Sequence, residues 1–319
     1  MAIPKLLSIA GSDPSGGAGV QADLKTFSAF GCYGMAAVTA LTAQNTTGVT
    51  RVFPIPPDMV AAQIDAIFSD IAVNAVKIGM LAEPAIAEAV AASLRRAGAK
   101  NIVLDPVLTA TRGAALSEGG LPDAIINHLL PLVDLITPNL AEAAMLTRTS
   151  LARDTDEMTA QARALALRGA RAALVKGGHL DGEPTDVLFA SGALTLLSGR
   201  RVDTRHAHGT GCALASAIAA NLAKGFPLAE AVADAKIWLE QALVAGEALR
   251  VGAGAGPPNH FWELWGRPYT PGAYFEKALP SRVSRALFDP RAENRIKPII
   301  TSAMIAVDPM RLRFKPPSL

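Results

Sequence analysis

The chain has 319 residues, half of them apolar, a net charge of +2 and only 5% aromatic residues. That length allows one large α/β domain or two small ones, and the near-neutral charge and scarce aromatics argue against a nucleic-acid binder. Two cysteines, Cys32 and Cys212, do not make a disulfide-rich secreted scaffold, and without an apolar run of 18 residues no membrane span is expected.

In chain order, residues 6–10 read as a buried first strand and not as a signal peptide, because Gly11, Asp13 and Pro14 end the apolar run. A soluble cytoplasmic protein is therefore the expectation. The Gly-rich loop Asp13-Pro14-Ser15-Gly16-Gly17-Ala18-Gly19 follows, then a helix over about 20–30 stopped by Gly31. Residues 35–43 are β-rich, and 45–48 turn the chain. Residues 58–70 have helical spacing of Met59, Ile64, Ile67 and Phe68. A short strand at 75–78, a helix at 84–97 and a strand at 102–104 ending in Asp105-Pro106 come next. Residues 121–130 read as helix and 132–136 as a strand ending in Thr137-Pro138-Asn139. Helices over 140–146 and 155–168 precede a strand at 172–175 that ends in Lys176-Gly177-Gly178-His179. Short strands at 187–190 and 193–196, a helix opened by Gly209 and a long helix over 228–249 complete the series.

Strand–helix alternation at this spacing predicts an α/β fold with a mainly parallel central sheet and helices on both faces. In such sheets, ligands sit beyond the carboxyl ends of the strands. Asp13, Gln44-Asn45, Asp105, Asn139 and Lys176 all fall at strand ends, which points to a single site. The aromatic segment 259–265 is expected to pack back on the core. The balance then changes: residues 266–319 hold ten Lys/Arg against four Asp/Glu and eight prolines, while the rest holds 20 against 24. The division expected is a 1–265 domain and a basic, Pro-rich 266–319 extension, poorly ordered or peripheral.

The stretch richest in chemistry is His208-Gly209-Thr210-Gly211-Cys212, followed at once by an alanine-rich helix. A helix N-terminus offers unpaired N–H groups and a positive dipole end, and so binds anions such as phosphate. The same field is expected to favour a Cys212 thiolate. Neither the P-loop pattern nor the dinucleotide fingerprint is present: Gly177 and Gly178 follow Lys176 instead of preceding it, and Gly16, Gly17 and Gly19 have the wrong spacing. What remains is an anion hole at Gly209–Cys212 with Lys176 as a cation for phosphates.

The run Ala10-Gly11-Ser12-Asp13-Pro14-Ser15-Gly16-Gly17-Ala18-Gly19-Val20-Gln21-Ala22-Asp23 closely resembles the opening of the hydroxymethylpyrimidine and phosphomethylpyrimidine kinases. The likeness continues through Thr42-Ala43-Gln44-Asn45, Lys77-Ile78-Gly79-Met80, Asp105-Pro106-Val107, Thr137-Pro138-Asn139 and His208–Cys212. It implies a ribokinase-like fold. The implied activity is ATP-dependent, Mg²⁺-assisted phosphorylation of 4-amino-5-hydroxymethyl-2-methylpyrimidine, then of its monophosphate, in thiamine biosynthesis. A homodimer is implied too. The alternatives weighed are a pyridoxal kinase with a catalytic Cys and a non-catalytic pyrimidine-binding sensor.

The resemblance implies roles residue by residue. Gln44 would read the pyrimidine, since a carboxamide offers a donor and an acceptor. Asp23 would face the same ring, with Ala18, Met80 and Val107 as apolar walls. Asn139 and Glu142 form the family's N-x-x-E pair near Mg²⁺ and the phosphates, and equally an N-cap with Glu at N3. Asp105 would help hold Mg²⁺. Lys176, Gly209, Thr210 and Gly211 would stabilise the moving phosphoryl group, and Cys212 would be the base. Ala213, Ala215, Arg112-Gly113 and Arg205-His206-Ala207 depart from the usual family residues.

Overall fold

The computed structural model describes residues 2–108, 119–178, 180 and 182–265. The Arg112-Gly113 departure, His179 and the 266–319 extension lie outside the described residues.

Strand β1 (Lys5–Ser12) is almost wholly buried, and its alternate side chains serve two different cores. Leu7 and Ile9 point into one, Leu6 into the other. The same split divides Val76 from Ala75 in β4 (Ala75–Ile78), Leu104 from Val103 in β5 (Ile102–Leu104), and Ile136 from Leu135 in β6 (Leu135–Ile136). A strand buried on both faces needs an unbroken apolar run, which is what these segments supply.

Nine strands form one sheet in the order β3-β2-β1-β4-β5-β6-β7-β8-β9. From β2 (Tyr33–Asn45) through β7 (Ala172–Val175) neighbouring strands run parallel. The outer strands β3 (Gly48–Pro54), β8 (Thr185–Ala190) and β9 (Ala193–Ser198) join as antiparallel hairpins. One face is covered by α1 (Gly19–Ala29), α7 (Thr210–Ala223) and α8 (Leu228–Val244). The other is covered by α2 (Pro57–Asp70), α3 (Pro84–Ala97), α5 (Leu140–Thr147) and α6 (Thr155–Leu167). The expected ribokinase-like α/β architecture, a mainly parallel sheet between two helical layers, is what forms.

Several local expectations change. Residues 45–48 are the turn of a β2–β3 hairpin, and β3 had no counterpart in the sequence reading. It is an edge strand with few buried side chains, so it lacks a core-facing apolar run. The expected helix at 121–130 breaks into α4 (Leu121–Ala124), a π-turn (Ile125–Leu129) and a 3₁₀ turn (Leu130–Leu132). Pro131 enters there, and proline cannot continue the backbone ladder. The long last helix stops at Val244 and tightens to 3₁₀ over Ala245–Leu249. The aromatic segment packs back at its start, where His260 is buried with its ring 6.5 Å from that of Trp238, whereas Leu264 and Trp265 are exposed.

Helix α7 is the most deeply set. Its residues Cys212 through Asn221 are all buried, and their alanine content lets the backbone lie close under the sheet. Its N-terminus opens at the carboxyl edge of the strands, where the polar residues gather.

Candidate active site

Helices α5 and α7 both begin at this edge, and their N-termini differ. At α5, Asn139 accepts from the Glu142 N–H (2.9 Å) while the Glu142 carboxylate accepts from the Asn139 N–H (2.8 Å). This capping box closes the helix end on itself. Helix α7 has no side-chain cap and no acidic residue in its first turn. Its N-cap Gly209 is left-handed (φ 76°), and any Cβ there would overlap the Gly17 carbonyl oxygen. Glycine is required on both counts. The positive end of α7 is thus left open toward the site, and α5's is not.

Facing that open end is a small charged cluster. Lys176 Nζ donates to Asp105 Oδ1 at 2.8 Å, and Thr137 Oγ1 donates to the same oxygen at 3.3 Å. Asn139 bridges β-fashion to Lys176, and the Lys176 N–H donates to the Pro138 carbonyl, so the ends of β6 and β7 are locked together. A Cβ on Gly211 would lie 3.0 Å from Lys176 Nζ and 3.2 Å from Asp105 Oδ2. The first turn of α7 therefore approaches the ion pair as closely as a glycine allows. Burial pushes the Glu142 carboxyl up to about 7; nearby Lys176 opposes that shift and Asp105 adds to it.

Cys212 is buried under this turn. The expectation of a favoured thiolate is reversed in the ligand-free chain. Burial pushes the thiol up to about 11, although the positive Lys77 pulls the other way. Desolvation of the anion outweighs the helix end.

The Asp23 carboxylate, expected beside the pyrimidine, is taken up by protein partners. It is completely buried, held by Lys77 Nζ at 2.9 Å, by Ser8 Oγ at 2.6 Å and by Ser216 Oγ at 2.8 Å. Lys77 is equally buried; burial pulls its pKa down, but Asp23 together with the nearby Cys212 and Asp105 outweighs that and holds its ammonium above the ordinary range. Asp23 and Lys77 are together a buried ion pair beneath Cys212. Lys77 stands in an otherwise apolar strand, and that lone charge was the signal the sequence reading left without a role.

Other residues of this edge are apolar. Met80 and Val107 share one small cluster with Ala40 and Ala82. A Cβ on Gly11 would sit 3.1 Å from the Met80 sulfur, so the chain turns closely over this wall. Ala18 is the N-cap of α1 and lies next to Gly209. Gln44 ends β2 with its carboxamide Nε2 3.0 Å from His208 Nε2 and its Oε1 3.3 Å from Thr42 Oγ1. His208 Nε2 is also 3.0 Å from Asp13 Oδ2. Asp13 and His208 had no side-chain role in the sequence reading, yet they join the Gly-rich loop to the α7 turn.

These sites form one continuous edge: Met80, Gln44 and Ala18 at one end, Gly209–Cys212 in the middle, and Lys176, Asp105 and Glu142 at the other. Such an edge can hold a small flat polar molecule against an anion site. The donor set also suits Mg²⁺, which takes few carboxylates and keeps waters. Asp105 and Glu142 are two carboxylates beside a lysine, and among the described residues no cluster of three His, Cys, Asp or Glu forms a ready metal cage.

The family model described as phosphomethylpyrimidine kinase matches residues 13–259. The hydroxymethylpyrimidine/phosphomethylpyrimidine kinase of Rhizobium meliloti (strain 1021) is 54% identical over 260 residues, covering 81% of this chain and 97% of the relative. Among solved structures, the phosphomethylpyrimidine kinase of Clostridium difficile 630 is 40% identical with a TM-score of 0.67, covering 76% of this chain and 99% of that one. The pyridoxal kinase of Staphylococcus aureus in complex with AMP-PCP is 32% identical with a TM-score of 0.76, covering 83% and 96%.

Proposed function

The chain belongs to the phosphomethylpyrimidine kinase family, and we propose that its edge site runs both transfers of that chemistry. The γ-phosphoryl of ATP goes first to the hydroxymethyl oxygen of 4-amino-5-hydroxymethyl-2-methylpyrimidine. A second goes to the phosphate so formed, giving the diphosphate used in thiamine biosynthesis. The observation that carries this assignment is the uncapped α7 N-terminus set against the Lys176–Asp105 pair, with Gln44 at the other end of the same edge.

Phosphoryl transfer needs little covalent help from a protein; positioning and charge stabilisation dominate. The N–H groups of Gly209, Thr210 and Gly211 receive the charge that builds on the moving group, and Lys176 adds a positive charge beside them. Asn139 and Lys176 hold the nucleotide phosphates. Glu142 and Asp105 would hold Mg²⁺, which would supply charge neutralisation on the phosphates. Gln44 orients the pyrimidine between Met80, Val107 and Ala18. Cys212 takes the hydroxymethyl proton in the first transfer. The second transfer starts from an ionised phosphate oxygen and needs no base.

The folded unit for this work is 1–265, and a chain ending at Trp265 is expected to keep its turnover. ATP as co-substrate points to the cytoplasm; among the described residues no helix is long and apolar enough to cross a membrane. Leu41 and Phe53, paired across the β2–β3 hairpin and about half exposed, offer apolar surface for the implied homodimer. Sedimentation tests that assembly.

The likeness to a pyridoxal kinase makes pyridoxal the competing substrate. Incubation with Mg-ATP and either the pyrimidine alcohol or pyridoxal, followed by mass spectrometry, separates the readings. Pyrimidine diphosphate is the expected product. Pyridoxal phosphate alone would overturn the assignment, and tight pyrimidine binding without turnover would identify a sensor.

A further inference from the structure

The hydrogen bonds around Gln44 carry more than its presence in the site. Start from Asp13. Its Oδ1 accepts from the Ser15 N–H (2.9 Å) and Ser15 Oγ (2.7 Å); its Oδ2 accepts from the N–H groups of Gly17 (3.2 Å) and Ala18 (2.8 Å). Four donors converge on one nearly buried carboxylate, an arrangement that favours the anion. Burial pushes its pKa up, but hydrogen bonds from His208 and Ser15 outweigh that and the net shift is downward.

An anion at 3.0 Å from His208 Nε2 requires a proton on that nitrogen, since two acceptors would repel. With its proton directed to Asp13 Oδ2, Nε2 has no lone pair left for the Gln44 carboxamide end 3.0 Å away and can only share that proton. The structure records the Gln44 NH₂ on this side, which sets donor against donor; turning the amide over puts its oxygen there instead. The other amide end gives the same answer. Thr42 Oγ1 has one proton, and it is spent on the Ser12 carbonyl at 2.9 Å. Toward Gln44, at 3.3 Å, Thr42 can only accept, so it must meet the amide NH₂. The O and N ends of an amide are nearly isosteric, and the network decides between them.

We infer that Asp13 and His208 are positioning residues that lock the Gln44 carboxamide with its oxygen on the His208 side and its NH₂ on the Thr42 side, and that this lock selects a 4-aminopyrimidine over its 4-oxo counterpart. Each end keeps one free valence: a lone pair on oxygen and an N–H on nitrogen. Together they match an exocyclic amino group beside a ring nitrogen acceptor. A 4-oxo ring presents the reverse order, a carbonyl beside a ring N–H. A freely rotating amide would fit both rings by turning over; a locked one fits only the first.

This rests on the pyrimidine kinase reading, so the test separates the two. Dissociation constants for 4-amino-5-hydroxymethyl-2-methylpyrimidine and its 4-oxo analogue are measured by calorimetry, without turnover. The wild type is expected to prefer the amino ring. His208→Ala, checked for folding by circular dichroism, should lower that preference about tenfold, the worth of one hydrogen bond. His208→Gln, which can place an N–H near the lost one, should restore most of it. An unchanged preference in folded His208→Ala, or no recovery in His208→Gln, overturns the lock. A neutron structure of the unliganded wild type decides it independently of either variant: deuterium on His208 Nε2 and a Gln44 oxygen facing it support the lock, and an ND₂ group facing His208 refutes it. Failure of the wild type to bind either ring would instead count against the pyrimidine reading, and the neutron map would still settle the amide.

Discussion

Lys176 and Asp105 meet across the carboxyl edge of the sheet at 2.8 Å, with Glu142 beside them and the first turn of α7 pressed against both. The lysine is the local positive charge that two nearly buried carboxylates share. Lys176→Ala leaves both without it. Removing one partner of a buried pair costs about 3 kcal/mol or more, so urea denaturation should show a loss of that order. Transfer of the phosphoryl group should fall about 100-fold or more, because a preorganised charge at the reacting centre is gone. Full stability with full turnover would show that the pair is peripheral.

The Asp23–Lys77 pair predicts a different pattern, because it lies under the site. Asp23→Asn or Lys77→Met alone should each cost about 3–5 kcal/mol, since each strands a buried charge. The double variant should cost less than the two losses added, by about 1–3 kcal/mol of coupling. Asparagine's one oxygen can still accept from one of Ser8 and Ser216, and its NH₂ can donate to the other hydroxyl, so the remaining network survives. Strict additivity in a double-mutant cycle would show that the pair is not energetically linked.

Much of this was legible in the sequence, for a physical reason. Parallel strands buried on both faces leave continuous apolar runs, and the residues that end those runs lie together at one edge whatever the details of packing. Asp105, Asn139 and Lys176 were found that way, and Gly209–Cys212 by the glycines that open an alanine-rich helix. Partnerships between distant parts of the chain were not legible. Asp13 and His208 are 195 residues apart, and Asp23 and Ser216 are 193 apart. No spacing rule connects them. Asp23 looked like a site carboxylate because its motif was recognised, while its direction depended on Lys77, Ser8 and Ser216. The Cys212 thiolate failed for a related cause: a helix end was visible in the sequence, but the burial that outweighs it was not.

Glu142 gives a pH dependence with a definite sign. Its folded value, about 7, lies above its ordinary 4.5. The folded state therefore holds the proton more tightly than the unfolded chain. Its contribution is fully present below pH 4.5 and is lost as pH rises through 7. In metal-free buffer this one group should lower stability by about 2–3 kcal/mol across that window. Glu142→Gln keeps an acceptor for the Asn139 N–H and should flatten that part of the curve. An equally steep fall in the variant would assign the slope to other groups.

Gly209 and Gly31 separate backbone strain from packing. Both are left-handed, at φ 76° and 69°. Beside Gly31 a Cβ meets nothing within 4 Å, whereas at Gly209 it would overlap the Gly17 carbonyl. Gly31→Ala should cost about 1 kcal/mol, the price of the left-handed conformation alone. Gly209→Ala should cost more than about 2 kcal/mol and raise KM for ATP, since the turn must shift and carry its N–H groups with it. Similar losses at the two positions would mean that the Gly17–Gly209 contact yields easily.

Cys212 is the sharpest test of the chemistry, because the two transfers ask different things of it. Its thiol is held up to about 11 in the free chain, so near neutrality only a small fraction is thiolate. That fraction grows with pH, and a base acting as thiolate should make the first transfer quicken from pH 7 to 9. The second transfer, from an ionised phosphate, should stay nearly flat over the same range. Cys212→Ser removes the thiolate but keeps a small polar group. It should slow the first transfer about 100-fold or more, as loss of a general base does, and the second by less than about tenfold, since that step uses only positioning and charge. Rapid-quench assays started separately from the alcohol and from the monophosphate give the two rates. Equal losses would assign Cys212 to packing beneath the anion hole, and the proton would then have to leave by another route, through a site carboxylate or water.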